Sequence, residues 1–344
     1  MSREKLIIAG VVVLGVLGGL VYKQAKTDAD LGQPQAMSTE SPTVSAPEDI
    51  DKISITNGEK GEVVLEKVPD AKGGGASVDG GPATLWMVTK PVKAEANQQT
   101  ASDIVANLKD LKVESRINLK LDDDIRKDKQ LDAAHATRIV AYKGGDKKLD
   151  ESFGKSGPAG QLTVVNDKPD AVWAVKGFSA YLYTKDAKDF RKKEVLHFDD
   201  ANATQVTVAN AHGALAFTKG DSGKWGGTLN GKSIARFDEE KVKDMLRAFK
   251  TLNAEDFGDG KSLAETGLDK PEATVTVRLK DDAPAAVLLV GGVSTGTNRW
   301  VKRADDDAIY QVTSYVSDWA TSDSAKYQSV ADAGAPAPDA GKKK

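Results

Sequence analysis

The sequence of 344 residues contains no cysteine, and this absence excludes several kinds of chemistry at once. Disulfides, thiolate metal sites, cysteine nucleophiles and an acylated N-terminal cysteine are all ruled out. An extracytoplasmic protein without disulfides fits this composition. Histidine is also scarce, with only His135, His197 and His212. No two of them have metal-binding spacing. The expression G-x-S-x-G occurs at Gly292 to Gly296, but a nucleophilic serine needs a strand-to-helix turn, and this segment is flanked by two expected strands. We interpret it as a hairpin turn.

An excess of positive charge is missing as well. The 48 basic residues nearly balance the 51 acidic ones, for a net charge of −3. A general nucleic-acid binder would show a basic excess on one face. The acidic triplets at 122–124 and 305–307 lack the alternating ligands, glycine and glutamate of a calcium loop, and the second is typical of a turn. We therefore expect no enzyme activity, and we assign no catalytic, cofactor-binding or metal-binding residue.

One long apolar run is present near the N-terminus. Residues 6–22 read LIIAGVVVLGVLGGLVY and carry no charge, and a helix rising about 1.5 Å per residue just spans a thin hydrocarbon core over this length. A cleaved signal peptide would need an A-x-A-like site, which Thr27-Asp28-Ala29 matches poorly. We predict an uncleaved single-pass anchor in the inner (cytoplasmic) membrane. Residues 1–5 are then cytoplasmic, and the bulk of the chain lies on the extracytoplasmic side of the membrane. In a two-membrane envelope that side is the periplasm.

The segments that flank the central region are polar. Residues 23–47 are rich in Pro, Ser, Thr and Gln, which predicts a flexible linker. Residues 329–344, SVADAGAPAPDAGKKK, have too few apolar side chains to pack, which predicts a disordered tail. The folded part is expected over residues 48–328, which is more than one compact core usually holds.

This folded part contains the same pattern twice. Leu131-Asp132 recurs as Leu268-Asp269, and the same spacing relates Val140, Tyr142, Phe153-Gly154, Trp173 and Val175 to Val277, Leu279, Val290-Gly291, Tyr310 and Val312. Upstream, with slightly larger spacings, Trp86, Ile53 and Ile55 match Trp225, Val206 and Val208. A glycine-rich insertion at 70–83 explains the larger spacing. The sequence thus predicts two tandem repeats, residues 48–198 and 199–328.

Each repeat predicts the same elements. Alternating apolar residues predict strands at 53–55 and 63–68 in the first copy and at 206–208, 215–219, 274–279, 286–290, 299–303 and 309–312 in the second. One amphipathic helix per copy is expected, capped by Asp238 in copy two and by Thr100 or Ser102 in copy one. The apolar stripe of this helix is Val242, Met245, Leu246, Phe249 and Leu252 in copy two, and Ile104, Leu108 and Leu111 in copy one. Gly267 is expected to end a helix before the strand at 274–279, because glycine accepts the left-handed conformation that ends helices. Short segments between Gly, Asp and Asn turns favour a mainly antiparallel α+β fold.

The segment from Gly226 to Ser233, GGTLNGKS, satisfies the phosphate-loop expression G-x-x-x-x-G-K-[ST]. That loop needs a buried strand before it and a helix that starts at the lysine. Here a turn precedes the glycines, and a helix is expected only near Asp238. We interpret the segment as a hairpin loop and keep nucleotide chemistry at Lys232 as a remote alternative.

Trp86 and Trp225 occupy the same position in the two copies. Exposed, they could serve as platforms for a sugar or a peptide. A repeated fold also repeats its packing, however, and a tryptophan buries a large apolar area. We therefore predict that both belong to the core.

The order of these landmarks resembles the bacterial domain-of-unknown-function family DUF4340. They are W-x-V-x-x-P at Trp86 to Pro91, an apolar-striped helix, GLDKP at Gly267 to Pro271, alternating strands and a final aromatic strand. Copy one lacks the Gly and Pro of the turn, copy two lacks the proline after Trp225, and Thr266 stands where the family often has tyrosine. The resemblance implies an N-terminally anchored envelope protein with no established activity. Members often look like accessory partners of ABC-type export systems and gliding-associated transporters.

Two functions are therefore expected to compete. The first is a non-enzymatic, membrane-anchored scaffold or accessory subunit of an ABC-type transport or gliding-associated assembly, with protein partners and no cofactor or nucleic acid. The second is a polysaccharide- or peptide-binding module that uses the cleft between the two repeats.

Overall fold

A computed structural model describes residues 34–35, 41–58, 60–70, 83–281, 283 and 285–329. The chain divides into two compact units, one ending at Lys192 and one beginning at Lys193. The sequence placed this division after residue 198. Residues 194–197 go with the second unit because they pair with Thr251–Asn253 of that unit.

The predicted anchor at 6–22, most of the predicted linker and the tail after Ser329 lie outside the described residues. Within the part that is described, no helix combines the length and apolar character needed to cross a membrane. The predicted linker extended to Pro47, yet Val44 and Ala46 are buried in the core of the first unit. The packed chain therefore begins by Val44, earlier than residue 48.

The first unit is built on a ten-stranded sheet with the order β1-β6-β10-β9-β8-β7-β2-β3-β4-β5. All of its described pairs are antiparallel. Its strands are β1 Pro34–Gln35, β2 Lys52–Asn57, β3 Gly61–Pro69, β4 Thr84–Lys90, β5 Ala94–Glu95, β6 Lys112–Ile117, β7 Thr137–Lys143, β8 Asp146–Gly157, β9 Gly160–Val165 and β10 Val172–Lys176.

Two helices accompany this sheet, α1 Gln98–Lys109 and α2 Asp123–Asp128. Ile104 and Leu108 of α1 are buried in the main core with apolar residues of β2, β3 and β7. The cap of α1 differs from the prediction, because the side chain of Asn97 accepts the hydrogen bond from the Thr100 amide. Thr100 and Ser102 lie inside the helix. Asparagine and threonine are both common caps, so composition alone did not distinguish them.

The second unit has a nine-stranded sheet with the order β15-β14-β13-β12-β18-β19-β20-β21-β17, and a separate pair of strands, β11 with β16. Its strands are β11 Glu194–His197, β12 Ala203–Asn210, β13 Gly213–Lys219, β14 Trp225–Leu229, β15 Lys232–Ser233, β16 Thr251–Asn253, β17 Asp256–Phe257, β18 Ala273–Leu279, β19 Ala286–Val293, β20 Arg299–Arg303 and β21 Tyr310–Val312. Its helices are α3 Glu239–Phe249, α4 Leu263–Thr266 and α5 Ser314–Thr321.

Helix α3 follows its sequence pattern closely. Asp238 caps it by accepting from the Glu240 amide, as predicted. Val242, Met245, Leu246 and Phe249 are buried in the core of the second unit. Each such side chain contributes roughly 1.5–3 kcal/mol by leaving water. The last residue of the predicted stripe, Leu252, is also buried but belongs to β16.

The two sheets repeat one strand order. Strands β6-β10-β9-β8-β7-β2-β3-β4-β5 of the first correspond to β17-β21-β20-β19-β18-β12-β13-β14-β15 of the second. One predicted match is shifted. Val206 pairs with Val277, whereas its counterpart Ile53 pairs with Ala141, so Ala141 and not Val140 matches Val277. A slip of one residue reverses which face a strand side chain occupies, so only the pairing determines this register.

The turn before β18 recurs in the first unit. Gly267 ends α4 in the left-handed conformation (φ 69°), as predicted, and Gln130 after α2 has the same conformation (φ 56°). A β-carbon on Gly291 would lie 2.3 Å from the carbonyl oxygen of Thr266. One on Gly154 would lie 2.3 Å from that of Lys129. Each unit therefore packs this turn directly onto a strand glycine.

Candidate functional site

An open groove of about 360 Å³ lies on the first unit between the β3–β4 hairpin and helix α1. Its walls combine an indole, three charged side chains and one helix face with small or aliphatic residues. The lining residues are Glu48, Lys67, Trp86, Ser102, Val105, Ala106 and Lys109. The three helix residues Ser102, Val105 and Ala106 share a face because they are three and four positions apart.

Trp86 forms the inner wall of the groove. It is only 5% exposed, so it is a core residue, as predicted. Lys67 is its direct partner on the neighbouring strand. The Lys67 ammonium lies 5.2 Å from the centre of the indole ring, a cation–π distance. The pair therefore puts a positive charge beside an apolar wall.

Gln98, the first residue of α1, fastens the helix to the Trp86 strand. Its Oε1 accepts from the Trp86 amide at 2.9 Å, and its Nε2 donates to the Trp86 carbonyl at 2.9 Å. The side-chain amide thus pairs with Trp86 as a further strand would. Both backbone groups of Trp86 are satisfied, and the distance between helix and strand is set.

The far end of the groove is closed by an ion pair between Lys109 and Glu48. The hydrogen bond to Glu48 raises the pKa of the Lys109 ammonium. Both side chains are exposed, so the pair adds little stability, but it connects the end of α1 to the segment before β2.

The second unit repeats the frame of this site and differs in its walls. Lys219 lies 6.0 Å from the Trp225 ring, Glu239 accepts from the Trp225 amide at 3.1 Å, and Lys250 pairs with Asp200 at 3.2 Å. These contacts correspond to those of Lys67, Gln98 and Lys109. Aligning Ile104 and Leu108 of α1 with Met245 and Phe249 of α3 places Ser102 opposite Lys243 and Ala106 opposite Arg247. Small residues therefore line the first unit's groove where the second unit has long charged ones.

The phosphate-loop-like segment does not form the strand–loop–helix arrangement that the motif requires. Gly226 lies inside β14, and Asn230 and Gly231, with φ of 50° and 79°, turn the chain into β15. Lys232 is in β15, and the next helix begins at Glu239. The segment is a hairpin, as the sequence indicated, with the asparagine–glycine pair typical of tight hairpin turns.

The remaining polar candidates have local structural partners. Asp122 caps α2 through the Ile125 amide, and Asp306 accepts from the Ala308 amide and the Tyr310 hydroxyl. His135 bonds to Asp132, and His197 lies 3.6 Å from Glu194. No group of three or more metal-ligating side chains occurs in the part of the chain that the structure describes.

Two neighbouring carboxyl groups on β8 titrate in opposite directions. Burial raises the pKa of Asp150, but hydrogen bonds from Arg138, Lys147 and Asn166 outweigh it and lower this pKa to about 2. Burial raises the pKa of Glu151 to about 8. Consecutive strand residues point to opposite faces, so the two groups do not form an acid–base pair.

Sequence reasoning identified Trp86 but missed the groove beside it. The available signal was the replacement of Lys243 and Arg247 by Ser102 and Ala106 at matched helix positions. That difference has meaning only once the helix is known to pack beside the tryptophan strand.

Comparison with known families matches one family model to two segments of the chain. The profile of the family described as Domain of unknown function (DUF4340) matches residues 86–271 and 259–329. The first match begins at Trp86 and ends at Pro271, two of the landmarks of the sequence pattern. No curated protein and no solved structure matches the chain.

Proposed function

We propose that this chain, which belongs to the DUF4340 family, is a non-enzymatic accessory subunit of an ABC-type transport or gliding-associated envelope assembly. The apolar run at 6–22 anchors it in the inner membrane, with the two sheet units on the extracytoplasmic side. The two units descend from one duplicated α+β repeat, and the partners are other envelope proteins.

One observation carries this proposal: the frame around Trp86 recurs around Trp225, while the walls of the groove differ. Side chains that only stabilise a fold are expected to recur with the fold. The small residues Ser102 and Ala106 add little packing where they stand, and they leave room for a segment of another protein. We therefore infer that the groove holds an extended partner segment, with its apolar side chains against Val105 and Trp86. An acidic side chain of the partner would face Lys67.

The absence of native cysteine allows a direct test of this groove. The chain with Ser102→Cys, carrying a cysteine-directed photocrosslinker, is expected to capture a transporter or other envelope subunit in membranes. The chain with Asp103→Cys is the matched control, because Asp103 is exposed, does not line the groove and lies about 100° around the helix from Ser102. Adding Ala106→Arg should reduce capture at position 102 about tenfold or more by filling the groove, as expected for losing a small buried contact area.

Equal capture at positions 103 and 102, or capture that Ala106→Arg leaves unchanged, would contradict the proposal. A polysaccharide ligand is the alternative, since an aromatic wall with polar groups around it also suits sugars. It would be indicated if soluble oligosaccharides, and no protein, protected the Ser102→Cys thiol from labelling.

A further inference from the structure

A second cavity, on the other unit, is lined by hydrogen-bond donors that have no partner among the described residues. It has a volume of about 290 Å³ and lies between the β14–β15 hairpin and the 3₁₀ turn Ser324–Tyr327. Its polar side chains are those of Asn230, Lys232, Ser233, Ser324 and Gln328, and none of its lining residues is acidic. This volume is at the small end of the range for ligand sites.

These donors are available for a ligand. The Asn230 backbone amide donates to the Ala214 carbonyl, and its Oδ1 accepts from the Ala214 amide, which orients the side chain and leaves its Nδ2 hydrogens unused. Lys232, Ser233, Ser324 and Gln328 make no side-chain hydrogen bond or ion pair within the part of the chain that the structure describes. One ammonium, two hydroxyls and two amides therefore surround a single opening.

The first unit has an ion pair at the position that corresponds to this cavity. There the Lys192 amide donates to the Glu95 carbonyl, and their side chains form an ion pair at 3.1 Å. In the second unit the Ser329 amide donates to the Arg236 carbonyl in the same way. Arg236 thus replaces the acid Glu95, and its guanidinium has no acidic partner among the residues that the structure describes. Asp323 caps the 3₁₀ turn by accepting from the Ala325 amide.

We propose that this cavity binds a tetrahedral oxyanion, a phosphate group carried by a small molecule or by a lipid headgroup, with Lys232 as its main charged contact. A lysine ammonium is a compact charge, and separately mounted hydroxyls and amides approach an anion from several directions. That arrangement suits the oxygens of a phosphate better than a planar carboxylate, which is matched by the fork of a single arginine. The hairpin geometry provides no phosphate loop, so binding involves no nucleotide hydrolysis.

The test is a binding titration of the full chain in detergent micelles at low salt, followed by ³¹P line broadening. The probes are inorganic phosphate, glycerol 3-phosphate and a short-chain phosphatidylglycerol. Saturable binding of at least one probe is expected. Lys232→Ala should weaken it about tenfold or more, the usual loss for one charge-assisted hydrogen bond. Lys224→Ala is the matched control, because Lys224 is exposed in the turn before β14 and does not line the cavity.

The set of probes that bind identifies the source of the phosphate. Binding of glycerol 3-phosphate alone indicates a soluble monoester, and binding of phosphatidylglycerol alone indicates a membrane headgroup. Absence of binding by every probe, or equal affinity of the native chain and Lys232→Ala, would overturn the proposal. The groove variant Ala106→Arg should leave this binding unchanged, so the result is independent of the proposed partner site.

Discussion

Glu151 places a carboxyl group at a position where the second unit has the apolar side chain of Leu288. It pairs with Ile139 on the ladder just as Leu288 pairs with Val275, and it is 1% exposed. The Thr163 hydroxyl donates to its Oε2 at 3.2 Å, while its Oε1 has no hydrogen-bond partner among the described residues. Burial without a compensating charge raises its pKa to about 8, so the folded chain keeps this carboxyl protonated at neutral pH.

This residue predicts a pH-dependent loss of stability in the first unit. In the unfolded chain the carboxyl ionises near its ordinary pKa of 4.5, so from there to about pH 8 the folded state holds a proton that the unfolded state has released. Stability therefore falls as pH rises through this window. Glu151→Gln should gain on the order of 3 kcal/mol relative to the native chain at pH 8, and little at pH 4.5.

Urea unfolding at the two pH values measures this difference. Glu66→Gln, at a side chain that is 43% exposed, is the control and should show no such pH dependence. An equal effect of Glu151→Gln at both pH values would contradict the assignment.

At the scale of elements, each unit places one helix-ending turn on a strand glycine. Leu131 and Leu268 follow the turns and are both 3% exposed. A β-carbon on Gly154 would lie 2.9 Å from the Leu131 side chain, and one on Gly291 would lie 3.0 Å from that of Leu268. The left-handed residue before each leucine is a glutamine in the first unit and a glycine in the second. The backbone approach is thus shared, although the residues of the turn have diverged.

This packing predicts that a single methyl group is harmful at both glycines. Gly154→Ala and Gly291→Ala should each lower the free energy of unfolding by about 2 kcal/mol or more, because the new β-carbon would overlap a carbonyl oxygen that cannot move alone. Gly226→Ala is the control, since its β-carbon would have no atom nearer than 3.9 Å. Chemical denaturation of the three variants provides the measurement, and a loss at Gly226 as large as at Gly291 would refute the argument.

At the scale of the whole molecule, the proposed anchor predicts a single-pass topology. In intact spheroplasts a membrane-impermeant maleimide should label Ser222→Cys, in an exposed turn of the second unit, without permeabilisation. Ser2→Cys, before the apolar run, should be labelled only after permeabilisation. Deleting residues 6–22 should release the chain from membranes. Labelling of both cysteines, or of neither, in intact spheroplasts would contradict this orientation.

The sequence by itself determined the features that depend on local spacing. Alternation located β2 and β3 of the first unit and β12, β13 and β18 to β21 of the second. The stripe and cap of α3 were read directly, and Gly267 marked a helix end, because these patterns reflect interactions within a few residues. Trp86 and Trp225 were assigned to the core because they recur at matched positions in the two repeats.

Only the tertiary structure decided which distant residues meet. The pairing of Ile53 with Ala141 set the register of β7, the burial of Val44 and Ala46 moved the start of the packed chain, and the protonated Glu151 depends on neighbours across the sheet. The groove beside Trp86 and the cavity beside Lys232 exist for the same reason. Each is bounded by elements far apart in the chain, and local periodicity carries no information about the space left between them.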